Sequence, residues 1–127
     1  MPDELQRIHD VAVLLCAADG PVLRSERDAM DIIGEALHHG ASWVVLPTRR
    51  LDDAFFQLRT RIAGDIVQKF VNYRCGLAIV GDISRFTATS EALRDFVRES
   101  NRGTQVWFLP DIEDFHKQLE RLQASSG

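Results

Sequence analysis

The chain has 127 residues, 19 acidic against 15 lysine and arginine side chains, a formal net charge of −4 and a pI near 5.5. That length predicts one domain, 1–127, with a core large enough to stand without staples. The acidic balance and the lack of a basic stripe exclude nucleic acid as the expected partner, and the apolar runs are too short to span a bilayer.

Ile8 to Cys16 contains a continuous apolar run of strand length, Val11 to Cys16. Asp19-Gly20 follows as a hairpin signal, which predicts Pro21 to Leu23 as a short return strand at the sheet edge. Residues 1–7 and 124–127 are expected to be flexible ends. Met1 to Arg7 is polar and carries no signal-peptide pattern, so the cytoplasm is the expected location. Ser25 is placed to cap a helix whose apolar face is Ala29, Ile32, Ile33, Ala36 and Leu37, closed by His38-His39-Gly40. Trp43 to Leu46 is apolar on both faces, as a strand covered on both sides should be. Thr48 to Asp53 reads as a loop.

One helix from Asp52 to Tyr73 would be about 33 Å long, against strands of roughly 17–23 Å. A break near Leu58 to Thr60 is therefore predicted, with Thr60 capping a second part whose inner stripe is Ile62, Ala63, Ile66, Val67, Phe70 and Val71. Leu77 to Val80 is another doubly buried strand, ending at Gly81-Asp82. A helix is expected from Thr87 or Thr89 to Asn101, with Leu93, Phe96 and Val97 inward and Gly103 as the stop. Val106 to Leu109 forms the last strand, and Asp111 caps a final helix with Ile112, Phe115, Leu119 and Leu122 as its stripe. The order β-β-α-β-α-β-α-β-α predicts an α/β fold with a mostly parallel sheet and one antiparallel edge hairpin.

Four stretches carry a resemblance: SERDAMDIIGEA (Ser25 to Ala36), AGDIVQKFVNYR (Ala63 to Arg74), LAIVGDIS (Leu77 to Ser84) and LRDFVRESNRG (Leu93 to Gly103). At motif level the chain resembles a small bacterial family catalogued as domain of unknown function 4180. Its element order is similar to that of STAS domains, the sulfate-transporter and anti-sigma-factor-antagonist fold. STAS regulators carry a serine or threonine at the start of the helix after the third strand, phosphorylated by partner kinases. The resemblance places Thr60 there, between Arg59 and Arg61.

Ligand sites in parallel sheets gather beyond the carboxyl ends of the strands. That edge collects Thr48, Arg49 and Arg50, then Asp82, Ser84 and Arg85, then Asp111. Arg59 and Arg61 oppose the dipole of the helix they precede, which an anion or a phosphorylated Thr60 would relieve; pairing with Asp52, Asp53 or Asp82 is the alternative. The opposite edge collects Asn72, Arg74, Asn101 and Arg102 as a second polar patch, with helix C-caps as the alternative reading. Cys16 and Cys75 lie at no zinc or redox spacing and read as buried thiols. No histidine falls naturally beside Ser84 or Thr60, and no metal or cofactor is expected. The leading expectation is a non-enzymatic cytoplasmic module with a protein partner or self-association, switched by phosphorylation near the second helix. The alternative is a small-molecule or anion-binding domain, with or without catalysis, at the carboxyl edge.

Overall fold

The computed structural model describes residues 3–126, with the side chains of 125 and 126 left aside. It is a single-domain α/β fold with a five-stranded mixed sheet in the order 1-2-3-4-5. Strand β1 (Glu4–Ile8) runs antiparallel to β2 (Val11–Leu15), and β3 (Trp43–Pro47), β4 (Gly76–Val80) and β5 (Val106–Leu109) continue from β2 in parallel. The helices are α1 (Glu26–His38), α2 (Ile62–Asn72), the single turn α3 (Ser84–Thr87), α4 (Glu91–Arg102) and α5 (Ile112–Ser126).

The sheet advances one place in one direction from β2 to β5, so right-handed crossovers put α1, α2 and α4 on one face. Their residues Ile33, Ala36, Ala63, Ile66, Phe70 and Leu93 pack on Val44, Leu46, Leu77, Ile79 and Phe108 of the strands. Helix α5 leaves the last strand and covers the other face, where Phe115 and Leu119 join Val13, Trp43, Val45, Ala78 and Trp107. Alternation along each strand divides the two cores: Trp43 and Val45 face α5 while Val44 and Leu46 face the other helices. Trp43 and Trp107 stack at 4.2 Å.

The hairpin differs from the expected one. Its turn is His9-Asp10, with φ of 51° and 66°, the left-handed pair that a two-residue loop requires. The partner strand is Glu4–Ile8, so residues 4–7 of the stretch expected to be a flexible end are paired in the sheet, while Met1 and Pro2 lie outside the described residues. Four of its five side chains are exposed, and that polarity hid it. Of Pro21 to Leu23 only Leu23 pairs, in a lone parallel bridge to Leu51. At the other end α5 runs through Ser126, past the expected fraying point; Gly127 lies outside the described residues.

The expected break is present. Three 3-10 turns, Thr48–Arg50, Asp53–Phe56 and Leu58–Thr60, precede α2, and Arg61 turns the chain with φ 64°. The helix before β5 is capped by Ser90, whose Oγ accepts from Leu93 N–H at 3.1 Å, and not by Thr87 or Thr89. Thr87 ends α3 instead. Two residues assigned to apolar stripes are exposed, Leu37 at 49% and Ile112 at 37%, because each lies at the end of its helix beyond the sheet.

Arg50 is the one buried charged residue among the described residues, 3% exposed. It donates to Pro21 O at 2.6 Å and Ala17 O at 2.8 Å and meets Asp3 at 3.3 Å. It ties the loop after β2 to the carboxyl edge, so the apparent Arg49-Arg50 surface pair is one exposed and one internal residue.

Candidate functional site

The carboxyl edge is built by the three 3-10 turns and by α3. A pocket of about 390 Å³ opens between β3 and β4, bordered by Thr48, Arg49, Asp53, Asp82, Arg85 and Phe86. Gly81 lets Thr48 approach: with φ 144° it carries no side chain, and a Cβ there would lie 2.3 Å from Thr48 Oγ1. Phe86 stacks on Phe56 at 4.4 Å, with the Arg85 guanidinium 4.1 Å from the Phe86 ring centre and 3.0 Å from Asp53. Asp82 is fully exposed, and hydrogen bonds from Ser84, the hydroxyl first and the backbone N–H second, hold its carboxyl below the ordinary carboxylate range. The backbone bond is 2.9 Å.

The structure thus brings Thr48, Arg49, Asp82 and Arg85 around one pocket and adds Phe56 and Phe86. No sequence signal marked the two phenylalanines, because their stacking joins turns 30 residues apart. Ser84 lines a neighbouring depression that reaches Pro110. Asp111 caps α5, accepting from Asp114 N–H at 2.9 Å. Arg59 lies in a groove on the far side of the Phe56–Phe86 pair, with Leu58, Thr89 and Ser90.

Thr60 is half-buried. Its hydroxyl lies 2.8 Å from both Ala54 O and Gln57 O and accepts from Ile62 N–H at 3.3 Å. Arg59 and Arg61 form no ion pair among the described residues. Their expected alternative partners are engaged elsewhere: Asp52 with Arg24 at 3.3 Å, Asp53 with Arg85, Asp82 with Ser84. Arg61 holds a left-handed conformation that costs a non-glycine residue about 1–2 kcal/mol.

The amino edge does not form one polar patch. Asn101 is bound to the backbone of β5 through both ends of its amide, at 3.1 and 2.7 Å to Phe108 O and N. Asn72 accepts from Gln68 at 2.8 Å on the surface of α2. Arg102 is the last, exposed residue of α4. Arg74 is different. The Cys75 N–H bonds to Phe70 O at 2.9 Å and the Arg74 N–H to Val71 O at 3.1 Å, a Schellman closure of α2. Helix α1 ends in the same way, with Ala41 N–H on Ala36 O and Gly40 N–H on Leu37 O. The left-handed position is Gly40 (φ 71°) in α1 and Arg74 (φ 53°) in α2.

Both cysteines are free and buried. Burial, with the Asp3 charge second, pushes the Cys16 thiol up to about 12, and burial pushes Cys75 up to about 11. Among the described residues no group of three or more His, Cys, Asp or Glu could hold a metal ion, and no helix is long and apolar enough to cross a membrane.

These features define a mixed-sheet α/β domain with one turn-rich edge of mixed charge and one closed by helix caps. Residues 8–119 match the family model described as Domain of unknown function (DUF4180), and the chain belongs to that family. No curated protein and no solved structure matches the chain.

Proposed function

We propose that the chain is a cytoplasmic regulatory or protein-interaction module working through the carboxyl edge of its sheet and switched at Thr60. One observation carries this reading: Arg59 and Arg61, the chain neighbours of Thr60, have no ion-pair partners among the described residues, and Arg61 holds a strained backbone conformation. A phosphate on Thr60 would give up the hydroxyl bonds to Ala54 O and Gln57 O and gain two flanking arginines. The turn Leu58–Thr60 would then rearrange beside the Phe56–Phe86 groove, altering the surface offered to a partner. The similarity of the element order to STAS regulators supports the same reading, and the two free thiols fit a reducing compartment. Mass spectrometry of the protein isolated from its own cells tests the modification, and Thr60→Glu tests its effect on partner binding. An unmodified Thr60 together with a silent Thr60→Glu variant refutes the switch.

The pocket between Thr48 and Phe86 favours a second reading, a binding site for a small anion held by Arg49 and the Thr48 hydroxyl. A thermal-shift series with phosphates, nucleotides and organic acids tests it. A ligand at a hundred times its dissociation constant should stabilise the fold by about 2.7 kcal/mol, and Arg49→Gln should remove that gain. No shift with any anion refutes this reading.

A further inference from the structure

We infer that the amino edge of the sheet holds a separate small-molecule site, and that its ligand is a small monocarboxylate with a flat apolar body. The site is a pocket of about 380 Å³ where β3, β4 and the approach to β5 begin and α2 ends. That volume lies at the lower end of the roughly 300–1,000 Å³ typical of small-molecule sites. Its floor is apolar: Trp43 at 5%, Phe70 at 0% and Cys75 at 2% exposure. Its rim carries the exposed polar residues Ser42, Thr104 and Gln105. Gly76 keeps the floor closed up, since a Cβ there would lie 2.3 Å from Trp43 Cδ2.

Among the described residues Arg74 is the only charged one lining the pocket. Its side chain makes no hydrogen bond or ion pair among the described residues. In a chain of net charge −4, this pocket is locally cationic. An arginine there also works against the fold, because the Schellman position favours glycine, as Gly40 shows in α1. A strained residue whose side chain does nothing for the structure marks a place where the side chain serves a ligand. The exposed Arg74, sharing the pocket with the uncovered edge of Trp43 and the hydroxyl and amide groups of Ser42, Thr104 and Gln105, matches one carboxylate on an apolar body. A ligand with several negative charges would find no second cation in this pocket among the described residues.

The site lies at the opposite end of the strands from Thr60 and Arg49 and does not depend on the reading given for that edge. The test uses phenylacetate and 3-phenylpropionate as probes and 2-phenylethanol as the uncharged control. Binding is followed by amide shifts of residues 74–76 and 104–105 and by the fluorescence of Trp43 and Trp107, the two tryptophans of the chain. At least one carboxylate is expected to give saturable shifts confined to that pocket, with affinity at least about tenfold above the alcohol's. Arg74→Gly is expected to lower that affinity about tenfold or more while leaving Tm unchanged or raising it by up to about 4 °C. An arginine with only a structural role would instead lower Tm. Equal affinity for the alcohol, unchanged binding by the Arg74→Gly protein, or no saturable shift with any probe up to about 10 mM overturns the inference.

Discussion

Asn101→Ala separates the polar residues of the amino edge into those that hold the fold and those that do not. Strand β5 ends the sheet, and its backbone alternates: the carbonyls of Gln105 and Leu109 accept from Leu77 and Gly81 of the β4 side, while Phe108 faces outward. The Asn101 amide stands in for the missing neighbour, donating to Phe108 O at 3.1 Å and accepting from Phe108 N–H at 2.7 Å. Each bond contributes about 0.5–1.5 kcal/mol, and Phe108 is only 6% exposed, so water recovers little when they are lost. The expected cost is about 2 kcal/mol, or a fall in Tm of about 6–10 °C for a domain of this length. Urea and thermal unfolding measure it, and hydrogen exchange at the Phe108 amide should accelerate in parallel. Asn72→Ala, which removes only an exposed contact with Gln68, should cost less than about 0.5 kcal/mol. Equal effects for the two variants, or a loss below about 0.5 kcal/mol for Asn101→Ala, would refute the edge-cap reasoning.

Arg50→Lys keeps the charge but cannot reach Pro21 O, Ala17 O and Asp3 together, so denaturant unfolding should show a loss of about 2 kcal/mol, and Arg50→Ala about 3 kcal/mol. Gly76→Ala drives a methyl into Trp43 and should cost about 2–3 kcal/mol while reducing the near-ultraviolet circular dichroism of the Trp43–Trp107 stack. Thiol titration sets an alkaline limit: the folded pKa values, about 12 for Cys16 and about 11 for Cys75, lie above the ordinary value of 9.0. The unfolded chain therefore loses these protons first, so their contribution is whole below pH 9.0 and declines as pH rises towards 11 and 12. Cys16→Ala should flatten the fall in unfolding free energy measured across that window, and an unchanged slope would count against a buried neutral thiol at position 16.

The parts of the fold legible in sequence are those whose pattern has one physical cause. Val44 to Leu46 and Leu77 to Val80 are apolar without alternation because both faces of a central strand are covered, and they lie where expected. Ser25 caps α1 as read, and the break before α2 follows from matching helix length to strand length. The hairpin was misplaced because two cues competed. Asp19-Gly20 is the stronger turn dipeptide, but the apolar strand Val11–Leu15 needed a partner, and the mostly exposed Glu4–Ile8 supplies one through its backbone, with Ile8 alone of its side chains buried. A strand that buries one side chain in five leaves almost no hydropathy signal.

The candidate sites divide along the same line. Thr48, Arg49 and Asp82 converge because all three follow the ends of adjacent parallel strands, a placement that element order already implies. Which arginine is internal, which is paired and which is strained follows from tertiary geometry that residue type cannot express. Arg50 lies inside, Arg85 is held by Asp53, and Arg61 and Arg74 sit at the two ends of α2 in left-handed backbone. Helix α1 meets the same need at its C-terminus with Gly40, so the fold does not require an arginine there. At each end of α2 the guanidinium is unpaired among the described residues, and the backbone cost brings no structural return. The two ends of one helix therefore address the two edges of the sheet, and replacing either arginine perturbs one edge while leaving the other as a control.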